Sequence, residues 1–327
     1  MKPFVLLLFL VQFVRCQIQG GTNATQGQFP YAVQIHQKMV PWPVPSYICS
    51  GAIIHKKWVV TAAHCVRQYK ITLKISVIAG DIWRFKHEGE SVHRVEYTAD
   101  KVIYHPGYDS SIWKFSDWRL SDYHFDIALL YFKNGIEFDD NDVINNDVGR
   151  IPLPLTAWPL RPNTNNPSAG DKCNVMGWGM TLIRNGKDVN LSDRLKWSEL
   201  RVRGWGALFY DVSKKHTSRE IRVNFGARKF GAGYTFPLAG DSGGPLVCRN
   251  SSGNDVLYGV FYGHFYGGEI TDDYLVYTSV AYNLKWIYEN MGNIEALLQQ
   301  DVENERKLKV AAVVIGLAGG IWFAYRG

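Results

Sequence analysis

The feature that most constrains the fold is a long series of short apolar segments, separated by turn-forming residues, between residue 18 and about residue 282. In residues 71–77 (ITLKISV), apolar and polar side chains alternate strictly, as they do in a strand that is buried on one face. Comparable segments lie at 31–36, 58–61, 92–97, 127–132, 173–176, 256–262 and 274–279. The first convincing helix comes late, at 283–291. This pattern predicts an all-β protein of the barrel type.

The N-terminal residues predict export from the cell. Lys2 supplies a positive charge, and residues 4–10 form an unbroken apolar segment. Cys16 fits the last position before a signal-peptidase cleavage, so we expect residues 1–16 to be a signal peptide and Gln17 to begin the mature chain. The alternative is an uncleaved membrane anchor, but the apolar segment is too short to span a bilayer comfortably.

The cysteines and the glycosylation motifs agree with a secreted protein. Removal of the signal peptide leaves an even set of cysteines for an oxidising compartment, namely Cys49, Cys65, Cys173 and Cys248. Three N-x-S/T motifs stand in polar, turn-like surroundings, at Asn23, Asn190 and Asn250. We therefore expect an extracellular glycoprotein with disulfide bonds.

Charge and motif content exclude several classes of function. The net charge is +6, from 36 Lys and Arg against 30 Asp and Glu, and the basic residues are dispersed along the sequence. The sequence contains no zinc-finger, KH or RNP pattern, so we expect no nucleic-acid partner. It also lacks H-E-x-x-H, a P-loop and a dinucleotide fingerprint, so we expect neither a metal nor a cofactor.

The C-terminal tail, residues 292–327, ends in an apolar segment at 310–325 that has no charge. As a helix this segment would reach ~24 Å, which is short of the ~30 Å core of a bilayer. Gly316 and Gly320 form a G-x-x-x-G motif that permits close helix packing. Two interpretations stay open: a short membrane anchor that tethers the protein, or an interfacial or packed helix.

The strongest chemical signal is the segment from Gly240 to Cys248, which reads GDSGGPLVC. A nucleophilic serine needs an exposed hydroxyl on a tight turn, with backbone N–H groups converging beside it. The glycines around Ser242 permit such a turn and leave the amides of Gly240 and Ser242 uncovered. Gly-x-Ser-x-Gly alone is weak support, whereas the nine-residue string is far more specific.

Two other segments supply the groups that such a serine requires. His64 follows a predicted strand in the segment TAAHC, and an imidazole is needed to accept the serine proton. Asp126 enters a buried strand in the segment DIALL, where its charge needs a partner such as an imidazole. Each residue alone has a structural explanation. In the order His64, Asp126, Ser242 they predict a catalytic triad.

On these residues the chain resembles the trypsin/chymotrypsin family of serine endopeptidases, with a domain at 17–291. Further matching segments are IQGG at 18–21, CSG at 49–51, HPGY at 105–108, CNVMGWG at 173–179 and YTSV at 277–280. The resemblance implies two six-stranded antiparallel β-barrels with the active site in the cleft between them, and a C-terminal helix. It also implies the disulfides Cys49–Cys65 and Cys173–Cys248.

The resemblance further implies a role for each site residue. His64 would be the general base, Asp126 its orienting partner, Ser242 the nucleophile, the amides of Gly240 and Ser242 the oxyanion hole, and Asp241 the partner of a freed N-terminal ammonium on Ile18. The reaction would be hydrolysis of a protein or peptide substrate through an acyl-enzyme.

The specificity pocket departs from the family pattern. Phe236 lies six residues before Ser242, where trypsin-like members carry Asp, so a preference for Arg or Lys is not expected. Tyr262 would lie beside the triad residue Asp126, and His264 at the mouth of the pocket. Leu275 stands where trypsin-like members carry Gly. The pocket is therefore either shallow, for small side chains, or closed.

Activation also departs from the pattern, because Gln17 precedes Ile18 where activating cleavage normally follows Arg or Lys. One remaining residue would displace the ammonium by about 3.5 Å, beyond ion-pair reach of Asp241. Two functions therefore remain open. The chain is either a secreted serine endopeptidase or a catalytically silent homologue that binds a partner protein.

Overall fold

The computed structural model of the chain describes residues 21–39, 46–66, 73–86, 88–89, 93–108, 125–138, 147–155, 167, 170–182, 189–202, 224–228, 237, 240–265 and 274–292. Within these residues, two large antiparallel sheets account for most of the regular structure, with one small hairpin and two helices.

The first sheet is a closed barrel of six strands, one of which is interrupted and forms two short segments with separate labels. Its strands are β2 (Ala32–Met39), β3 (Ser46–His55), β4 (Trp58–Thr61), β5 (Leu73–Ala79), β6 (Val95–Thr98), β7 (Lys101–Tyr104) and β8 (Ala128–Tyr131). They lie in the order β6-β5-β2-β3-β4-β8-β7. The two outermost strands are separated only by Ala99 and Asp100, whose amides donate to Ile75 of β5 and Tyr131 of β8, each at 2.9 Å. The sheet must therefore curl until its two ends meet.

The second sheet closes in the same way. Its strands are β1 (Thr22–Asn23), β9 (Lys172–Gly177), β12 (Lys196–Val202), β13 (Asn224–Arg228), β14 (Pro245–Arg249), β15 (Asp255–Phe265) and β16 (Tyr274–Ser279). The order is β1-β12-β13-β16-β15-β14-β9, and a further pairing of β12 with β9 completes a ring of six strands. Strand β1 adds to the outside of that ring. Two short strands, β10 (Met180–Leu182) and β11 (Val189–Leu191), form a separate hairpin.

Each barrel is filled by the apolar side chains of its strands. In β12, buried residues alternate with more exposed ones along the whole strand, as the period-two rule requires. Ile35, Ile53 and Leu129 are completely or almost completely buried in the first barrel, as are Leu200 and Tyr277 in the second. The prediction of two six-stranded antiparallel barrels is therefore confirmed.

Two helices complete the described structure: α1 (Ala63–Val66) and α2 (Val280–Met291). The second helix begins three residues earlier than predicted, because Ser279 caps it by accepting a hydrogen bond from the Tyr282 amide at 3.2 Å. It ends at Gly292, which adopts a φ of +76° and accommodates the left-handed turn that closes many helices.

The predicted signal peptide (1–16) and the apolar segment at 310–325 lie outside the described residues. In the part of the chain that the structure does describe, neither helix is long and apolar enough to cross a membrane. Of the three glycosylation motifs, Asn23 is exposed on β1 and Asn190 lies on β11. The Oδ1 atom of Asn250 accepts bonds from two amides in a turn, at 3.0 and 2.9 Å. Glycosylation stays a prediction.

Candidate active site

His64 lies on α1, directly after β4, in a segment that a disulfide ties to the first barrel. Cys65, the next residue, is bonded to Cys49 of β3, with 6.0 Å between the two Cα atoms. The His64 side chain keeps 15% of its surface exposed. Its imidazole is thus fixed in position yet accessible to solvent.

Asp126 holds both the ring and the backbone of His64. It lies just before β8, and the register of β4 with β8 pairs Thr61 with Ala128, so the carboxylate reaches α1. Its Oδ1 accepts a hydrogen bond from the backbone N–H of His64 at 2.8 Å, and its Oδ2 lies 2.6 Å from the ring Nδ1. Because a carboxylate accepts hydrogen bonds, Nδ1 carries the proton and Nε2 of the neutral ring carries the lone pair.

The same contacts decide how His64 titrates. Burial lowers the pKa of the imidazole, but the negative charge of Asp126 and its hydrogen bond outweigh burial, so the pKa of His64 is raised. The Asp126 side chain is only 1% exposed, so water screens its charge poorly. This arrangement suits a general base whose protonated form is stabilised by the carboxylate.

Ser242 lies on a turn that is held between the two barrels. Its carbonyl oxygen accepts a hydrogen bond from the Ser50 amide of β3 at 2.9 Å, and the amide after it donates to Phe261 of β15 at 2.8 Å. Thr61 Oγ1 donates to the Ser50 carbonyl oxygen at 2.8 Å, which links the turn to the segment carrying His64. The Ser242 hydroxyl itself makes no hydrogen bond with any described residue. Nucleophile and base in a protease often engage fully only once substrate is bound.

The residues before Ser242 shape the predicted oxyanion hole. Gly240 adopts a φ of +94°, a conformation that favours glycine. Asp241 is buried, and its Oδ1 accepts a hydrogen bond from the Gly179 amide at 2.7 Å. A Cβ on Gly179 would lie 2.4 Å from the Asp241 carboxyl carbon, so only glycine fits there. Ile18, the predicted ammonium partner of Asp241, lies outside the described residues.

The predicted pocket residues are described only in part. Leu275 on β16 is 2% exposed and belongs to the apolar core of the second barrel, in which Phe261 and Tyr277 also lie. His264 on β15 is the cross-strand partner of Leu275, but its side chain is outside the described part of the structure, as is all of Phe236. Leu275 is thus packed among other apolar side chains and does not face solvent.

Tyr262, which the sequence placed beside the triad Asp, lies against the imidazole of His64 in the structure. The rings of Tyr262 and His64 are nearly perpendicular, at 81°, with 6.0 Å between their centroids. The register of β15 with β16 shifts between Phe261 and Gly263, and Tyr262 lies at this shift. The tyrosine ring therefore narrows the space next to the base.

One cluster in the described residues has the spacing of a metal site, and it is made of Cys49, His64 and Cys65. Both cysteines are joined in a disulfide and offer no thiolate. The donor set therefore does not suit a metal ion.

Two residues next to the site were not found from the sequence. The Tyr47 hydroxyl donates a hydrogen bond to the Gly240 carbonyl oxygen at 2.6 Å, although Tyr47 belongs to no recognisable motif. Phe125, which precedes Asp126, has a φ of +59° and is the only non-glycine residue with a positive φ in the described structure. Neither feature has a sequence signal, because both depend on contacts with residues far away in the chain.

Comparison with known proteins agrees with this geometry. Residues 18–287 match the family model described as Trypsin. The chain belongs to the trypsin family. Rat granzyme M is 27% identical over 282 residues, which cover 84% of this chain and 90% of the relative. Rat serine protease 1 is 28% identical over 276 residues, again 84% of this chain and 90% of the relative.

The trypsin-family fold is also found among solved structures. Neuropsin, a serine protease expressed in the limbic system of mouse brain, matches with a TM-score of 0.61 over 83% of this chain and 98% of that chain, at 23% identity. At this identity the likeness supports the fold. Membership of the trypsin family implies a protein or peptide as the substrate class. The two disulfides implied by the family pattern, Cys49–Cys65 and Cys173–Cys248, are both formed.

Proposed function

We propose that the chain is a secreted serine endopeptidase that hydrolyses peptide bonds through an acyl-enzyme on Ser242. The observation that carries this proposal is the buried Asp126 carboxylate, whose two oxygens bind the backbone and the ring of His64 at 2.8 and 2.6 Å. This contact selects the tautomer in which Nε2 can accept a proton, as a general base must.

In the proposed reaction the Ser242 hydroxyl oxygen attacks the substrate carbonyl carbon, while its proton passes to Nε2 of His64. The amides of Gly240 and Ser242 donate hydrogen bonds to the oxyanion that forms. The C–N bond then breaks, and His64 returns its proton to the leaving amine. Water, deprotonated by His64, attacks the acyl carbon, the bond from that carbon to the Ser242 oxygen breaks, and His64 returns the proton to this oxygen. Asp126 stays ionised and stabilises the imidazolium in both steps.

The proposed peptidase is not expected to prefer Arg or Lys at the cleavage site. Phe236 offers no carboxylate at the position where trypsin-like members bind a basic side chain. Leu275 stands where trypsin-like members carry Gly, and this larger side chain, which is buried in the structure, is the second reason for proposing a small pocket. Small apolar side chains are therefore the proposed preference.

A second candidate is a catalytically silent homologue that binds a partner protein. The observations that favour it are the Tyr262 ring at 6.0 Å from the imidazole and the Gln17 residue that precedes Ile18. In this case Tyr262 would narrow the cleft, and the N-terminal ammonium of Ile18 would not be freed.

A fluorophosphonate probe distinguishes the two candidates. It is applied to the full chain secreted from cells, beside a Ser242→Ala variant, and the N-terminus of the protein is sequenced. Labelling of wild type but not of the variant supports the peptidase. If a folded protein that begins at Ile18 is not labelled, the peptidase proposal is wrong and the binding homologue is favoured.

We further propose glycosylation at the three motifs and a membrane association through residues 310–325. Digestion with an endoglycosidase tests the glycosylation, since each occupied motif adds a shift in electrophoretic mobility.

Carbonate extraction tests the membrane association. A tethered protein stays in the membrane pellet, whereas release of all the protein would contradict tethering.

A further inference from the structure

Tyr47, on β3 of the first barrel, reaches across to the turn that precedes Ser242. Its hydroxyl oxygen lies 2.6 Å from the carbonyl oxygen of Gly240 and 3.0 Å from Oγ of Ser50. A carbonyl oxygen only accepts hydrogen bonds, so the phenol proton points to Gly240. The Ser50 hydroxyl must then donate to the phenol oxygen. The result is a directed chain from Ser50 through Tyr47 to Gly240.

The phenol keeps its proton throughout the pH range in which such a protein is folded. Burial raises the pKa of Tyr47, and the nearby Asp241 carboxylate raises it further. The hydrogen bond with Ser50, a hydrogen bond with the Trp178 backbone and the charge of Arg84 lower it by smaller amounts. The Tyr47 hydroxyl is therefore a permanent donor to the Gly240 carbonyl.

Gly240 needs such a donor because nothing in its own structure fixes its conformation. Glycine populates positive and negative φ about equally, so its φ of +94° must be selected by contacts. A Cβ at this position would lie 3.0 Å from Gly179 Cα, 3.0 Å from Leu191 Cδ2 and 3.3 Å from Tyr47 Cε1, which is closer than ordinary van der Waals contact. These contacts disfavour a side chain, but they do not orient the carbonyl group.

The next residue, Asp241, is held independently of Tyr47. Its carbonyl oxygen accepts a hydrogen bond from the Gly244 amide at 2.9 Å, and its Oδ1 accepts one from Gly179 at 2.7 Å. Only two soft dihedrals of Gly240 separate its N–H from its C=O. With Asp241 held in place, a fixed Gly240 carbonyl restricts the direction of the Gly240 amide.

We propose that Tyr47 is a positioning residue for the oxyanion hole: its hydroxyl holds the Gly240 carbonyl, and so keeps the Gly240 amide directed into the cleft. The catalytic consequence rests on the proposed peptidase function. The geometric claim, that Tyr47 selects the conformation of Gly240, stands without it.

The test uses Tyr47→Phe, which keeps the ring and removes only the hydroxyl. We expect the rate of Ser242 labelling by a fluorophosphonate to fall about tenfold, which corresponds to the loss of one net hydrogen bond. This is less than the ~10²–10³-fold loss that follows removal of an oxyanion donor itself. The pH at which labelling falls off in acid stays unchanged, because that limb reports His64 and not the oxyanion hole.

Tyr97→Phe is the matched control. The Tyr97 hydroxyl accepts a hydrogen bond from the Glu137 amide at 3.2 Å. Its removal therefore also deletes a phenol–backbone hydrogen bond, although a longer one of opposite direction, at a place away from Gly240. We expect this variant to label at the wild-type rate. Thermal unfolding of both variants verifies that each is folded.

Crystal structures of wild type and Tyr47→Phe provide the readout that does not depend on activity. We expect the Gly240 carbonyl to turn away from its wild-type direction in the variant. If Gly240 keeps its φ and its carbonyl direction, the inference is wrong, whether or not the protein is an enzyme. A tenfold loss that Tyr97→Phe shares would also overturn it. If the fluorophosphonate does not label Ser242 of wild type, but the Gly240 carbonyl turns in Tyr47→Phe, the peptidase proposal fails and the positioning role of Tyr47 stands.

Discussion

Phe125 adopts a strained backbone conformation directly before the triad carboxylate. Substitutions at Phe125 can separate the cost of this backbone strain from the stabilising contacts of the aromatic ring. Its φ of +59° is unfavourable for any residue with a Cβ. The ring is stacked on His105 at 4.1 Å and 4°, and it also contacts Tyr282 at 5.8 Å. The Ile127 amide donates to the Phe125 carbonyl oxygen at 2.7 Å and closes a tight turn around Asp126. These contacts outweigh the strain in the native chain.

The magnitude follows from comparing Phe125→Gly with Phe125→Ala. Both variants lose the ring, so its contacts cancel in the comparison. Alanine retains the cost of the left-handed conformation, about 1–2 kcal/mol. Glycine avoids that cost but loses about 0.5–1 kcal/mol through the larger entropy of its unfolded chain. We therefore expect the free energy of unfolding to be about 1 kcal/mol higher for the glycine variant than for the alanine variant.

Chemical denaturation of the two purified variants measures this difference, and thermal unfolding should show the glycine variant melting roughly 2–4 °C higher. The matched control is the same pair of substitutions at Phe138, where φ is not positive. There the order should reverse, with alanine the more stable. If alanine is as stable as glycine at position 125, the left-handed backbone does not store strain and the reasoning is refuted.

Three further predictions follow from the site and its surroundings. Asp126→Asn should lower kcat about 10⁴-fold. It should also move the acid limb of the pH–activity profile to lower pH, because the charge that raises the pKa of His64 is lost. An unchanged pH profile would contradict the pairing of His64 with Asp126. Burial lowers the pKa of His36 from 6.5 to about 4, and the charges of Arg94 and Arg84 lower it in the same direction. The unfolded chain therefore binds a proton at His36 more readily than the folded chain does. The free energy of unfolding should be highest above pH 6.5 and should fall as the pH falls toward 4. Denaturation at pH 7 and pH 4 should show wild type losing about 3 kcal/mol more than His36→Gln, and equal losses would refute this. Ser242→Ala should abolish activity yet change the free energy of unfolding by less than about 0.5 kcal/mol, and a larger loss of stability would assign the hydroxyl a structural role.

The sequence predicts the fold well because the fold depends on patterns that repeat locally. Alternation of apolar and polar residues marks individual strands, and clusters of Gly, Pro, Asn and Asp mark the turns between them. The strand predicted at 71–77 forms at Leu73–Ala79, and the one predicted at 274–279 forms within those bounds. The helix boundary was missed by three residues, since the capping role of Ser279 depends on where β16 ends.

The site is predictable only where its chemistry is carried by neighbours in sequence. The segments around His64, Asp126 and Ser242 are recognisable because each needs particular residues beside it. Tyr47 and Phe125 act through contacts with residues such as Gly240 and His105, which the fold alone brings near. A tyrosine two residues before a cysteine, or a phenylalanine before an aspartate, carries no local signal of such a role.

The three triad residues differ in how strongly each argues for catalysis. Asp126 is a buried charge with both oxygens bound to His64, so replacing either partner would leave an unpaired group and destabilise the fold whether or not the protein is an enzyme. The presence of His64 and Asp126 is therefore compatible with a silent homologue. Ser242 is different, because its hydroxyl makes no hydrogen bond with any described residue, so we expect its removal to cost little stability. If Ser242→Ala proves as stable as wild type, the proposed nucleophile, and not a contribution to folding, accounts for a serine on this turn.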